Sequence, residues 1–337
     1  MKNVLPLGKL DYTLLETLLQ KYRSAPDPRV IVGPGIGNDA AVIEFSDRYL
    51  VLKTDPITFA TDEIGWYAVN VNANDIAVTG ATPKWFMATV LLPEKKSTYK
   101  DAESILHQIT EASRTLGISL IGGHTEVTYN IDRPIITGVM AGEVAKGKLV
   151  KSCGAKPGDA IILTKGIAIE GTSIIAREKY KELITRGHNE RFINHCRNFL
   201  HAPGLSVVKD ALLAARFAVH AMHDPTEGGL FAGLFEIAKA SRVGILINQE
   251  KIPVFPETQT LCKEFHLDPF RTIASGALVI IASFESANTI ISLLKDHDII
   301  AVSIGEVKER GFGLKISVGG KLHDLEVTAS DEITKLY

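Results

Sequence analysis

Cysteine is nearly absent from this chain: Cys153, Cys196 and Cys262 are the only three in 337 residues, and no Cys-x-x-Cys pair occurs. That excludes a disulfide framework, and reduced, cytoplasmic surroundings are expected. Net charge is missing as well, because 37 basic residues oppose 39 acidic ones. The balance removes the electrostatic case for nucleic acid or an anionic membrane as partner. Long apolar runs are scarce. The stretch near residues 64–83 comes closest, but it is rich in Asn, Thr and Gly, so no membrane span is read. The start, Met1-Lys-Asn-Val-Leu-Pro6, lacks a secretory apolar core. No Gly-Lys-Ser/Thr, His-Glu-x-x-His or Gly-x-Ser-x-Gly occurs, so P-loop, zincin and serine-hydrolase readings lack their signatures. His195, Cys196 and His201 match no metal-site spacing.

What remains is an ordinary globular composition, 45% hydrophobic and 23% charged, long enough for two domains. A helix is expected over 11–22, strands over 30–32, 40–45 and 49–53, and a long helix over 63–79 stopped by Gly80 and Pro83. Then come strand 85–92, helix 97–116, and strands 118–121 and 135–144. The Gly-, Pro- and Lys-rich segment 146–159 reads as the connection between domains 1–150 and 151–337. Beyond it strands and helices alternate, with helices at 170–200, 205–215, 227–241, 257–265 and 285–296. A hairpin, 314–318 with 322–327, turns at Gly319-Gly320. The first half reads as α+β and the second as α/β.

Four segments carry chemistry. Gly33-Pro-Gly35-Ile-Gly37-Asn38-Asp39 joins bare backbone to a carboxylate; taken alone it is also an ordinary turn. Thr54-Asp55-Pro56 closes a strand that contains Lys53, a residue for phosphate or for solvent. In Asn72-Ala-Asn74-Asp75, Asp75 is the only charge between Gly65 and Pro83, on a helix apolar nearly all round. A carboxylate there costs several kcal/mol unless paired or metal-bound. Gly122-Gly123-His124-Thr125-Glu126 follows an apolar strand, where the glycines let backbone approach a ligand. Oxygen ligands beside glycine suit a hard cation and phosphate. In the second half, Asp224, Thr226 and Glu227 precede a helix. Asp224 as N-cap, Pro225 at N1 and Glu227 at N3 make a capping box, and the helix start also suits phosphate.

In this order the motifs resemble the aminoimidazole-ribonucleotide-synthetase (PurM-like) superfamily, nearest to the branch of the hydrogenase maturation factor HypE. The resemblance rests on 33–45, 50–59, 71–83 and 122–128, and on 223–238, 275–280 and 304–307. It implies an α+β N-terminal domain that dimerises through its sheet, followed by an α/β C-terminal domain. It further implies ATP and Mg²⁺ as cofactors, with Asp39, Asp55 and Asp75 as metal carboxylates. Gly33, Gly35, Gly37, Asn38, Asn72, Asn74, Gly122, Gly123, Thr125, Asp224, Thr226 and Glu227 would line the nucleotide. Lys53, His124 and Glu126 are the expected catalytic side chains. The implied activity is transfer of the ATP γ-phosphate to an amide, carbonyl or phosphate oxygen of a small or protein-borne acceptor. A homodimer, and another maturation protein as partner, are implied too.

The sequence departs from the family pattern at three places. Asn38 stands where paired Asp is usual, and His124 replaces a fourth carboxylate. No cysteine follows Cys262, whereas HypE carries its carbamoyl group on a terminal cysteine. Two other readings stay open, a non-catalytic nucleotide-binding partner in a maturation complex and a carboxylate metallohydrolase.

Overall fold

A computed structural model describes residues 5, 8–22, 27–58, 62–327 and 330–337. Residues 1–4, which bear on the secretory reading, and Phe59 of the segment 50–59 lie outside the described residues. The chain divides into two bodies. The N-terminal body holds 28–33 and 39–149; the other holds the described residues up to 27, with 34–38 and 150–337. The sequence reading places everything up to 150 in one domain. The described residues up to 27 and the glycine loop cluster instead with the second body: Tyr12 bonds Glu236 and Lys239 bonds Glu16, and Gly37 packs on the Glu236 carbonyl.

In the N-terminal body, strands β1 (Val30–Val32), β2 (Ala41–Phe45), β3 (Arg48–Ile57), β4 (Thr82–Pro93), β5 (Ser119–Thr128) and β6 (Ile135–Ala145) form one sheet. Its order is β1-β2-β3-β6-β4-β5. Every pairing is antiparallel except β4 with β5. Helix α2 (Ile64–Ala77) packs on this sheet and against α3 (Tyr99–Leu116). Every α2 residue but Trp66 is buried, as its all-round apolar pattern requires. Close approach sets the glycines. A Cβ at Gly65 would meet the Ile105 carbonyl at 2.7 Å, and one at Gly142 would meet Ile76 Cγ2 at 2.4 Å. Helix α3 opens with a capping box in which Thr98 and Asp101 satisfy each other's backbone N–H. Thr98→Ala should therefore lower stability by about 1 kcal/mol in urea denaturation.

The C-terminal body carries a seven-stranded sheet built from β7 (Ala160–Thr164), β8 (Val219–His223), β9 (Gly244–Asn248), β10 (Val279–Ala282), β11 (Ala301–Lys308), β12 (Leu314–Val318) and β13 (Lys321–Asp324). The order is β13-β12-β9-β11-β7-β10-β8. The expected alternation of strands and helices is there, in a mixed sheet. All pairs are antiparallel except β12 with β9. One face of the sheet buries α8 (Gly229–Ser241), whose Leu230, Phe231, Leu234, Ile237 and Ala238 meet Ile161, Leu163, Ile245, Val279 and Ile304 in one core. Helix α10 (Phe284–Asp296) contacts β7, β10 and β11, and also α7 (Val208–Ala214). Helices α4 (Ile169–Glu178), α5 (Tyr180–Thr185), α6 (Glu190–Arg197) and α9 (Pro256–Glu264) contribute to a second core with Ile174, Ile193 and Leu261. The first helix, α1 (Tyr12–Lys21), belongs to this body. It buries no residue and is held by Tyr12 on Glu236 at 2.8 Å and by Lys239 on Glu16 at 2.8 Å.

Candidate functional site

The acidic set of the N-terminal body is assembled by α2 and β3. Asp75 lies in the last turns of α2 and is 4% exposed. Its cation comes from the neighbouring strand: Lys53 Nζ stands 3.2 Å from Asp75 Oδ2 and 3.4 Å from Asp55 Oδ2. One ammonium thus holds two carboxylates together. An Asp39 oxygen and an Asp75 oxygen lie within 4.8 Å of each other. Asp55 does not end its strand. It sits inside β3, which continues to Ile57, because β6 keeps pairing past it, after the β2 pairing has stopped at Leu52.

Asn72 explains how Asp55 is placed. Its Oδ1 accepts the Asp55 N–H at 2.9 Å, and its Nδ2 donates to the Ala68 carbonyl at 2.9 Å. The amide fastens β3 to α2 at the level of Asp55, so what it brings to the site is position. Gly138 on β6 clears the space, since a Cβ there would meet Asn72 Nδ2 at 2.4 Å. Sequence reading passed over Gly138, which carries no chemistry of its own. Asn72→Ala should cost about 1–3 kcal/mol by leaving the Asp55 N–H without its acceptor, a loss that chemical denaturation would register. Asn74 is fully buried.

The segment 122–126 requires a correction. It does not follow a short strand but lies within β5, an exposed edge strand running from Ser119 to Thr128. Ile121 is the extra residue of a bulge where Leu120 faces Phe86 and Gly122 faces Met87. Gly123, at φ +155°, brings the strand within a distance of the Ala88 carbonyl that no Cβ could share. His124 Nε2 and Glu126 Oε2 pair at 3.1 Å, their side chains 65% and 48% exposed. Thr125 is exposed as well. Asp55, Gly138, Ala88 and Gly123 form one transverse row of the sheet. That sets β5 three strands from Asp55, about 14 Å at roughly 4.8 Å per strand. Within one chain the structure does not bring His124 and Glu126 to the acidic set.

The glycine loop divides between the bodies, with Gly33 in one and 34–38 in the other. The Asn38 N–H closes a turn on the Gly35 carbonyl at 3.2 Å. Gly37, at φ +78°, lies on α8, where a Cβ would meet the Glu236 carbonyl at 2.8 Å.

The capping box expected at 224–227 is also corrected. Helix α8 begins at Gly229, and its N-cap is Gly228 with no side-chain cap bond. Successive left-handed glycines, φ +85° and +65°, turn the chain after Glu227. The carboxylate that takes this turn's N–H comes from the far end of the chain: Asp331 Oδ2 accepts from Gly228 N at 2.5 Å. Asp224 is instead buried, at 1% exposure. Thr226 accepts from Lys9 Nζ at 3.3 Å.

Beside this turn lies a buried cluster that the sequence did not announce. His223 Nε2 and Glu236 Oε2 stand 2.9 Å apart, and Tyr12 donates to Oε1 at 2.8 Å. Burial pushes the Glu236 carboxyl up, but the His223 hydrogen bond, the Lys9 and His223 charges and the Tyr12 hydroxyl outweigh it and hold the group at about 2. The only sequence signal was a lone Glu within the apolar helix 229–238.

Comparison with known proteins follows the same division. The N-terminal domain of AIR synthase related proteins matches residues 37–144 and the C-terminal domain matches 156–317. A putative hydrogenase expression/formation protein of Methanocaldococcus jannaschii is 30% identical over 95% of both chains. The chain belongs to the AIR synthase related family. A carbamoyl dehydratase HypE of Rhizobium leguminosarum is 31% identical, over 77% of this chain and 73% of the relative. The structure of HypE in complex with ATP superposes with a TM-score of 0.68 at 23% identity, covering 90% of this chain and 92% of that one. The two-domain PurM-like fold and the HypE-like branch are thus those of the chain. Among the described residues no helix is long and apolar enough to cross a membrane.

Proposed function

We propose that this AIR synthase related protein binds Mg·ATP through Asp39, Asp55 and Asp75 and uses it to activate an amide, carbonyl or phosphate oxygen of an acceptor, small or protein-borne. The observation that carries the reading is Lys53, shared between Asp55 and Asp75, with Asp39 within 4.8 Å of Asp75. Hard carboxylate oxygens at that spacing suit Mg²⁺, which when bound screens the charge of the phosphates. Lys53 balances the carboxylates and is placed to turn toward phosphate oxygens. Asn72 holds Asp55 in register. HypE, which has been solved with ATP, and the relative named carbamoyl dehydratase support a nucleotide and an amide-type acceptor.

The exposed edge supports a homodimer. Leu120, Ile121 and Val127 on β5 and Met87 on β4 are all 40–61% exposed, an apolar edge that a second copy would cover. His124 and Glu126 then serve the partner's nucleotide rather than their own. A hydrogenase expression/formation protein among the relatives supports a maturation partner.

His124 in place of a carboxylate favours the second reading, a nucleotide-binding partner without turnover. ADP release separates the two. Purified protein with Mg·ATP and carbamoylated acceptors is expected to form ADP only when acceptor is present. Nucleotide binding without ADP formation under every acceptor tried would favour the non-catalytic role. Sedimentation of wild type against Ile121→Asp, expected to shift from dimer to monomer, tests the edge.

A further inference from the structure

Glu170 interrupts an apolar stretch, Ile167-Ala-Ile-Glu170-Gly-Thr-Ser-Ile-Ile175. It stands in the first turn of α4, after Ala168 at φ +53°. Backbone bonds fix this turn to a distant loop: Glu170 N donates to the Ser275 carbonyl at 3.3 Å and Gly171 N to that of Ile273 at 3.2 Å. The loop is tied in turn to the segment before α8, through Ala274 N on the Thr226 carbonyl at 3.3 Å. Asp331 joins both, accepting from Gly228 N and from Ile273 N. Glu170, Asp224, Glu227 and Asp331 therefore converge within one body, and the other three act electrostatically on Glu170.

Two polar atoms at this place remain unused. Glu170 is 6% exposed and Ser275 1%; the Ser275 hydroxyl faces the Glu170 carboxyl, and beyond that contact neither Glu170 Oε2 nor Ser275 Oγ has a hydrogen-bond partner. Buried polar atoms left short of partners are costly and native proteins seldom keep them; a carboxyl and a hydroxyl with only each other for company are what a binding site holds ready. Burial pushes the Glu170 carboxyl up to about 8; Ser275 favours the ionised form, while Asp331, Glu227 and Asp224 add to the rise. At neutral pH the group is chiefly an uncharged acid, with one O–H to give and one oxygen to accept. An amide offers the matching pair, C=O and N–H. An ammonium ion offers donors alone and prefers a carboxylate.

We propose that Glu170 and Ser275 form a subsite that receives an uncharged primary amide of the acceptor, taking its N–H on the bare oxygens and giving a proton donor to its carbonyl. This rests on the reading above that an amide-type oxygen is activated, and it names the side chains that select it.

Ligand-observed NMR on the full chain tests the subsite with three probes: acetamide, N,N-dimethylacetamide, which keeps the carbonyl but has no N–H, and ammonium. Acetamide is expected to bind at least fivefold more tightly than either of the others. Glu170→Ala and Ser275→Ala should each abolish that preference, and Glu170→Gln, an amide of the same shape, should retain part of it. Equal binding of acetamide and its dimethyl derivative, or tighter binding of ammonium, would overturn the proposal, as would an unchanged preference in Glu170→Ala. Melting curves of the free variants confirm that they are folded. The Mg·ATP-induced melting shift is read in parallel. Its absence in wild type would sink the nucleotide reading, while loss of amide preference with the shift intact would sink this subsite alone.

Discussion

Asp75→Asn is expected to abolish stabilisation by Mg·ATP while leaving the protein folded. At a hundredfold excess of nucleotide over its dissociation constant, the wild type should gain about 2.7 kcal/mol; the variant should gain nothing measurable. The fold survives because asparagine fills the same volume and Lys53 keeps Asp55 as its partner. The cation is lost because Asp75 is buried, 4% exposed, and no solvated carboxylate replaces it. Differential scanning calorimetry with and without Mg·ATP makes the comparison. Lys53→Met is the contrasting variant. It leaves the Asp75 carboxylate in place without the ammonium, and losing one partner of a buried pair costs about 3–5 kcal/mol. It should melt early in the free state and recover part of the loss when Mg²⁺ is added.

Glu170→Gln should make the protein more stable above neutral pH and remove part of the pH dependence. The folded carboxyl stays protonated to about 8, whereas its ordinary value is 4.5. Between those values the folded state holds a proton that the unfolded chain has released. The stability it contributes is complete below about pH 4.5 and is lost as pH rises to about 8. Glutamine does not titrate, so the fall disappears, a difference on the order of several kcal/mol across the window. Burial also raises Asp331, to about 6 despite its backbone bonds, and that part of the slope remains in the variant. Urea denaturation at pH 5, 7 and 9 measures the difference. Parallel slopes for wild type and variant would place Glu170 in a far more polar setting than the structure gives it.

Both bodies were legible wherever residue pattern alone decides. Helix α2 read as buried on all sides because its window carries one charge, and Asp75 stood out for the same reason. The partner of Asp75 was not legible, because Lys53 arrives from a strand 22 positions earlier and only sheet packing brings them together. The capping-box reading of 224–227 failed on backbone conformation. Consecutive left-handed glycines postpone the helix, and the carboxylate that serves the turn is Asp331, about a hundred residues away. Segment 122–126 was read as following a short strand because paired glycines suggest a strand end; a bulge and a close crossing at Ala88 hold them inside the strand. Glu170 was visible only as a charge in an apolar run, the same signal that marked Asp75.

The central claim is that the carboxylates of the N-terminal body hold a divalent ion together with a nucleotide. Electron paramagnetic resonance of Mn²⁺, titrated into the protein with and without ATP, tests it most directly. The account expects tight Mn²⁺ binding that requires nucleotide and is weakened at least a hundredfold in both Asp39→Asn and Asp75→Asn. Equal Mn²⁺·ATP binding by wild type and both variants would contradict it.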